Sequence, residues 1–467
     1  MRLEQWLGKD NKLGMDIWTK KYQQNNETFD EWLDRVSGGN EAVKELIIDK
    51  KFLFGGRILS NRGMEKCGHK VTYSNCYVIT PPEDSIESIF EAASKLARTF
   101  SYGGGCGLDI SKLSPRGAKV NNTARKTTGS VSFMELYSMI TGLIGQNGRR
   151  GALMLSLDCN HPDLEEFIDI KNDLNAVTKA NISVRITDDF MNAVINNEDW
   201  ELSFETESGD KLVKKVNAKA LFNKLAYNNW NMAEPGILFW DNIENYNLLS
   251  EDKEFKYAGV NPCAEEPLPA GGSCLLGSIN LAEFVTKNKK FDYDSFVEAV
   301  DIAVRALNEV LDEGMPLHPL QEQRDSVRDW RQIGLGIMGL ADMLCGIFKH
   351  TGLLKNLWAS FPARNRPMFD LAVRDLAHVV SYAHGPYGTV SAHAATTAAM
   401  GVMSALALRK TWYSWTVTFI VLLISYSRIY LACHFPQDIV LGLAVGAISG
   451  WMMYLLWRKL DILLKNS

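Results

Sequence analysis

Hydrophobic and polar positions follow two different rhythms along residues 1–340. Short β-type runs, such as 75–80 and 181–187, alternate with amphipathic stretches, such as 85–97 and 293–312. Apolar residues in those stretches recur at helical spacing. Strand-helix alternation of this kind predicts a soluble α/β fold. Gly-rich turns punctuate it at Gly103-Gly104-Gly105, at 148–151 and at Gly271-Gly272. After residue 390 the rhythm ends. Residues 392–408 carry no Asp, Glu, Lys or Arg, residues 411–431 carry one charge, Arg428, and residues 439–457 carry none. Each of the last two is long enough to cross a bilayer. Trp412, Trp415, Trp451 and Trp457 flank them, as do the pairs Arg409-Lys410 and Arg458-Lys459. Such residues act as interface anchors, and the basic pairs predict a helical hairpin with those ends in the cytoplasm. Gly442, Gly446 and Gly450 form a small-residue stripe suited to close helix packing.

A chain of 467 residues accommodates two or three domains. Composition divides it near residue 341. The last Glu is Glu322, and from residue 343 onward there are eleven Lys or Arg against four Asp. The formal net charge of -5 averages these opposite balances and points to no partner. No basic stripe interleaved with aromatics suggests nucleic-acid binding. Eight cysteines without a CxxC pair exclude a disulfide scaffold and structural zinc, so no metal site is expected. The N-terminal stretch MRLEQWLGKDNKLG has no apolar core and predicts no signal peptide.

The first candidate chemistry lies at Cys263 and Glu265. On an extended strand, residues two apart share a face, so a thiol nucleophile or radical would stand beside a general base. A lone Cys-x-Glu is more often a small buried side chain next to a surface acid. The surrounding sequence changes the weighting. NPCAEEPLPAGGSCLLGSINL (261–281) strongly resembles the active-site loop of ribonucleotide reductases, above all the adenosylcobalamin-dependent class. The resemblance runs from Trp18 to Met343. It includes FLFGGRILSNRG (52–63), SNCYV (74–78), GGGCGLDISKLSPRG (103–117), GQNGRRGALM (145–154), HPDLEEFIDIK (161–171), NISVRITDDFM (181–191) and RQIGLGIMGLADM (331–343).

That resemblance implies a ten-stranded α/β barrel, of which residues 1–341 would form an incomplete part. It implies that Cys263 is the thiyl radical taking the ribose 3′ hydrogen, with Glu265 the base at the 3′ hydroxyl and Asn261 a substrate ligand. Cys76 and Cys274 would be the thiol pair that reduces the 2′ position and ends as a disulfide. Ser60, Asn75 and Gly105 match substrate-lining positions. Asp84, Arg149 and Arg150 match the region where a nucleotide effector sets specificity. A ribonucleotide substrate, a nucleotide effector, adenosylcobalamin and a homodimer follow as implied partners. The later strands, the phosphate-binding loop and the C-terminal cysteine pair of the family have no counterpart here, so a crippled reductase is expected.

The second candidate chemistry lies in SRxxxxxHxxxD at 427–438. Helical spacing brings Ser427, His434 and Asp438 toward one face, and an Arg in an apolar helix is costly unless it pairs or works. This run resembles the third signature of PAP2-type phosphatases, and YGTVSAHAATTAAM (387–400) resembles their second. A phospho-histidine mechanism without metal or cofactor is thereby implied. His434 would attack phosphorus, with Asp438 orienting it, and His393 would protonate the leaving oxygen. Arg428, Ser391, Ser427 and Arg366 would serve the phosphoryl group, although Ala359 stands where the first signature expects Lys. The implied substrate is a phosphate ester or lipid phosphate.

Residues 1–341 are thus expected to be a reductase-like region in the cytoplasm. Residues 342–467 are expected to be an all-α, PAP2-like membrane bundle. Leu340-Ala341-Asp342 suits both families. The alternative is a fusion, from recombination or a misassembled coding sequence, with neither activity.

Overall fold

The computed structural model describes residues 2–120, 123–144, 151–206, 209–348, 392–430 and 436–465. It divides into two compact units, Met1–Ile347 and Phe348–Ser467.

The first unit is α/β. Its strands are β1 (Phe52–Phe54), β2 (Cys76–Val78), β3 (Gly105–Asp109), β4 (Leu153–Asp158), β5 (Asn181–Ile186), β6 (Asp199–Glu205), β7 (Lys211–Asn217), β8 (Gly236–Phe239), β9 (Gly259–Val260), β10 (Pro267–Leu268), β11 (Ser273–Asn280) and β12 (Ile333–Met338). Eight of them form one sheet in the order β1-β11-β2-β3-β4-β5-β8, with β12 also on β11. Strands β2, β3, β4, β5 and β8 run parallel. Strand β11 runs antiparallel to β1 and β2 and parallel to β12.

Parallel strands are stable only when both faces are covered. All five residues of β3 are buried, as are the first five of β4. The helix Ile86–Ser101 covers this region and shows why it forms. Ser85 caps it by accepting a hydrogen bond from the Ser88 amide (3.1 Å). Ile89, Ala92, Ala93, Leu96 and Phe100 then repeat at helical spacing and are buried. They join Leu108, Leu155 and Val184 in one core. A second core packs Trp32 and Phe52 against Ile279, Leu307 and Val310, beneath the helix Tyr293–Gly314. The expected strands at 75–80 and 181–187 and helices at 85–97 and 293–312 are present, each shifted by a few residues. Among the described residues the sheet does not close on itself, so the barrel is a half-barrel.

One local expectation fails. Residues 261–266 are not an extended strand but a reversal between β9 and β10. Ala264 takes a left-handed backbone (φ 66°), and its amide donates to the Asn261 carbonyl (2.9 Å).

The described part of the second unit has three helices, Ala392–Leu408, Thr411–Tyr430 and Pro436–Lys465. A Cβ on Gly446 would lie 2.1 Å from the Ala395 carbonyl oxygen, and one on Gly450 would lie 2.3 Å from that of Ala399. Two residues of the predicted glycine stripe therefore let the first and third helices touch. The matched steps from 395 to 399 and from 446 to 450 show that these helices run parallel. Among the described residues no helix is long and apolar enough to cross a membrane. The expectation of spans at 411–431 and 439–457 thus finds no support there. Ser414, Thr416, Thr418, Ser425 and Tyr426 dilute the apolar run of Thr411–Tyr430.

Buried polar groups behind β2 make the first unit sensitive to acid. The Tyr77 hydroxyl lies 2.8 Å from His318 Nδ1 and also bonds Thr72. Burial, aided by Arg324, pushes the His318 imidazole down to about 4. The unfolded chain therefore binds more protons than the folded one between about pH 6.5 and pH 4. Stability should be intact above about pH 6.5 and fall as pH drops to 4, by roughly 3 kcal/mol. Urea unfolding of the parent and His318→Gln across this range checks it. The variant should lose most of the slope, and an unchanged slope would contradict the assignment.

Candidate active site

The site is assembled where β2, β3 and β11 meet the β9–β10 hairpin. In register, Cys274 of β11 lies opposite Cys76 of β2. Residues opposed across antiparallel strands share a face, with Cβ atoms about 4.5–5.5 Å apart. That is close to the spacing a disulfide needs. Both thiols are free. Asn75 ties the two flanking strands together: its amide donates to the Cys274 carbonyl (3.0 Å), and its carbonyl accepts from the Gly105 amide (2.9 Å).

The hairpin lies on β3 because β3 lacks side chains there. A Cβ on Gly107 would lie 1.7 Å from the Val260 carbonyl oxygen, and one on Gly105 would lie 2.9 Å from Pro262 Cγ. Asn261 then shapes the reversal. Its Oδ1 accepts from the Glu266 amide (3.1 Å), and its own amide donates to the Glu266 carbonyl (3.1 Å). Asn261 is fully buried, and its Nδ2 has no partner among the described residues. Cys263 and Glu265 at the tip are exposed.

All three thiols of the cluster are held in the protonated form. Burial pushes Cys76 up to about 12, with Cys263, Glu265 and Glu266 adding to the effect and Arg57 opposing it. Burial and Glu266 push Cys274 far up. Burial and Glu265 also raise Cys263. Nucleophilic cysteines need a lowered pKa, so this cluster presents S–H bonds rather than thiolates. An open cavity of about 730 Å³ borders the hairpin tip, where Cys263 and Ala264 face Met154, Asn181, Ser183 and Gly236.

Of the other expected residues, Ser60 lies on the short helix Gly56–Asn61, its hydroxyl 2.9 Å from Asn61 Oδ1. That helix begins beside Asn75: a Cβ on Gly55 would lie 3.3 Å from Asn75 Nδ2. Asp84 borders a different cavity from Cys263. Its carboxylate accepts from the Ser114 amide (2.8 Å) and from the Ser114 hydroxyl, and it borders a cavity of about 410 Å³ with Ser111, Asp158 and His161. Cys106 and Cys159 are buried and Cys67 is exposed. Among the described residues no group of three or more His, Cys, Asp or Glu could hold a metal. Arg149, Arg150, Arg366, Ser391 and His434 lie outside the described residues, as do the side chains of His393, Ser427, Arg428 and Asp438.

The sequence reading missed Glu266. The Cys274 thiol donates to its carboxylate. No local signal marks it, because its partner lies eight residues on and only the folded hairpin brings the two together.

Comparison with known proteins agrees with this geometry. The family model described as "Ribonucleotide reductase, barrel domain" matches residues 74–348. The model described as "PAP2 superfamily" matches residues 334–461, overlapping the first over 334–348. The vitamin B12-dependent ribonucleoside-diphosphate reductase of Thermoplasma acidophilum is 36% identical over 326 residues, which are 68% of this chain and 41% of that protein. The protein of the same description from Mycobacterium tuberculosis (strain H37Rv) is 33% identical over 397 residues, 79% of this chain and 54% of its own length. The chain therefore spans about half the length of these curated relatives. Among solved structures, the Actinobacillus ureae class Id ribonucleotide reductase alpha subunit shares the fold. Its TM-score is 0.58 at 21% identity, over 73% of this chain and 61% of that one. With a barrel-domain match over more than half its length and the thiols in register, the chain belongs to the ribonucleotide reductase barrel-domain family.

Proposed function

We propose that the first unit carries the thiol chemistry of ribonucleotide reduction to deoxyribonucleotides. The observation that carries this reading is the opposed, protonated Cys76–Cys274 pair beside the hairpin-borne Cys263. An S–H bond is a hydrogen-atom donor, and a radical mechanism needs one. Cys263 takes the ribose 3′ hydrogen, Glu265 takes the 3′ hydroxyl proton, and the free Nδ2 of Asn261 orients the sugar. Cys76 and Cys274 supply two electrons to the 2′ carbon and become a disulfide. Ser60, Asn75 and Gly105 line the sugar side, and Asp84, with Arg149 and Arg150, belongs to a nucleotide-effector region. Residues 1–341 act as one such region, in the cytoplasm and as a homodimer.

The radical source in this reading is adenosylcobalamin, as the names of the B12-dependent relatives suggest. The cavity at Cys263 lies in the size range of small-molecule sites, and the exposed thiol is reachable from it. Cys263, Ala264, Asn181 and Ser183 would line the space open to it. When bound, the cofactor supplies an organic radical by cobalt–carbon homolysis. The chain's own contribution is to hold Cys263 in reach and keep its proton on sulfur.

Among the described residues β8 is an edge strand, and the cavity that it borders is open, so turnover should be slow. Incubation of the full chain with a ribonucleotide, a nucleotide effector and adenosylcobalamin, without added dithiol, should give up to one deoxyribonucleotide per chain. Cys263→Ala should lower the yield at least about a thousandfold. No product from the parent favours the fusion without activity, a reading that the overlap of the two family matches also supports.

For residues 342–467 we propose PAP2-type phosphate-ester hydrolysis, supported by the family match and by helix order. His393 is the second residue of its helix, Ser427 and Arg428 fall in the last turn of the next, and Asp438 falls in the first turn of the third. Parallel outer helices with an antiparallel one between them bring those three ends to the same side. His434 then attacks phosphorus, His393 protonates the leaving group, and Ser391, Arg366 and Arg428 hold the phosphoryl oxygens. In detergent, the parent should hydrolyse a phosphate monoester or lipid phosphate, and His434→Ala should lose at least about a thousandfold. An inactive parent, or an active His434→Ala, sinks this reading.

The same unit displays Trp412, Trp415, Phe419, Leu423, Trp451 and Met453 to its surroundings. Large apolar side chains exposed together mark interaction surfaces. The flanking Arg409, Lys410 and Arg458 suit lipid headgroups, so a bilayer is the proposed partner. After cell lysis the chain should sediment with membranes and be released by detergent but not by high salt. Recovery in the soluble fraction contradicts this.

A further inference from the structure

Glu266 is the carboxylate in the thiol cluster that the reading above leaves without a role. It follows Glu265, which is exposed. Its carboxylate accepts a hydrogen bond from the Cys274 thiol, and its Oε1 lies at Gly334 of β12, where a Cβ would come within 3.2 Å. Its main chain is fixed twice by Asn261, through the two 3.1 Å bonds across the reversal. The carboxylate is half-buried, while Cys274 is only 2% exposed. Solvent therefore has little access to the Cys274 proton, and Glu266 is the acceptor in contact with it. Burial also raises the Glu266 carboxyl above the usual carboxylate range, bringing it nearer to the task of a general base at neutral pH.

We propose that Glu266 is the proton acceptor of Cys274 when the Cys76–Cys274 pair closes to a disulfide, and the donor when it reopens. This inference rests on reading those two cysteines as the reducing pair. With a small disulfide as oxidant, Cys76, the more accessible thiol of the pair, first attacks one oxidant sulfur to form a mixed disulfide, and the other half of the oxidant leaves as a thiol carrying the Cys76 proton. The Cys274 proton then passes to Glu266 as the Cys274 sulfur attacks Cys76 Sγ. The Cys76–Cys274 bond forms, the bond from Cys76 to the oxidant breaks, and the electron pair leaves with the oxidant's thiolate. The two protein thiols are oxidised and one oxidant disulfide is reduced.

A static neighbour and a base predict opposite signs. A carboxylate that only sits nearby disfavours the Cys274 thiolate, so Glu266→Gln would speed closure. A base that takes the proton makes closure depend on it, so Glu266→Gln slows closure. The test uses the full chain with oxidised glutathione between pH 6 and 9, acid quenching, and peptide mass mapping that separates the Cys76 mixed disulfide from the closed pair. In Glu266→Gln, closure should be at least about tenfold slower at pH 7 and steeper with pH, and the mixed disulfide should accumulate. Glu266→Asp, which keeps a carboxylate, should close faster than the Gln variant. Closure in Glu266→Gln at the parent's rate or faster overturns the role of Glu266 and leaves the thiol pair intact. An Asp variant no faster than Gln also overturns it. A parent that closes no Cys76–Cys274 pair overturns the thiol-pair reading and this inference with it.

Discussion

The site depends on the missing side chains of Gly105 and Gly107. The Val260 carbonyl reaches a point 1.7 Å from where a Gly107 Cβ would stand. Any residue with a Cβ would force backbone to move. Because the hairpin can lie directly on β3, Cys263 is brought to the same end of the sheet as Cys76 and Cys274. Two strand pairings then do the rest: β2 against β11 opposes two thiols, and β9 against β10 turns the chain back so that Asn261 can hold Glu266. The hairpin pairing spans only two residues on each strand. Its position therefore rests on the glycines and on Asn261 more than on the ladder.

Electrostatics follows from that geometry. The cluster collects three thiols and two carboxylates, with Arg57 as the cation acting on Cys76. Low solvent access and neighbouring negative charge both favour protonated sulfur. The same surroundings that would be poor for a thiolate nucleophile suit hydrogen-atom transfer, and they give a carboxylate in contact with Cys274 something to do.

Much of this was legible in the chain. The rhythm of strand and helix between residues 75 and 312 follows from burial on two faces and one stripe, and it survives in the structure. The motif around Cys263 marked a loop that the structure sets beside the Cys76–Cys274 pair. It did not reveal the loop's shape, because a left-handed Ala264 is set by the hairpin's closure and has no mark in local propensity. Glu266 was hidden for a related reason: its partner Cys274 is eight residues away, and only the β2–β11–hairpin arrangement brings them together. The C-terminal helices were legible as helices, and the Gly446 and Gly450 contacts as close packing. Their polar side chains, Ser414 to Tyr426, weaken the bilayer signal that charge counting alone suggested.

One geometric relation carries the rest: Cys76 and Cys274 oppose each other across β2 and β11, and Cys263 sits on the neighbouring hairpin rather than in that pairing. Mild oxidation of the folded full chain, trypsin digestion without reductant and mass mapping of the cysteine peptides tests it directly. The predicted result is a Cys76–Cys274 disulfide with Cys263 still a free thiol. A disulfide that joins Cys263 to either of the other two, as the main product, would contradict the arrangement.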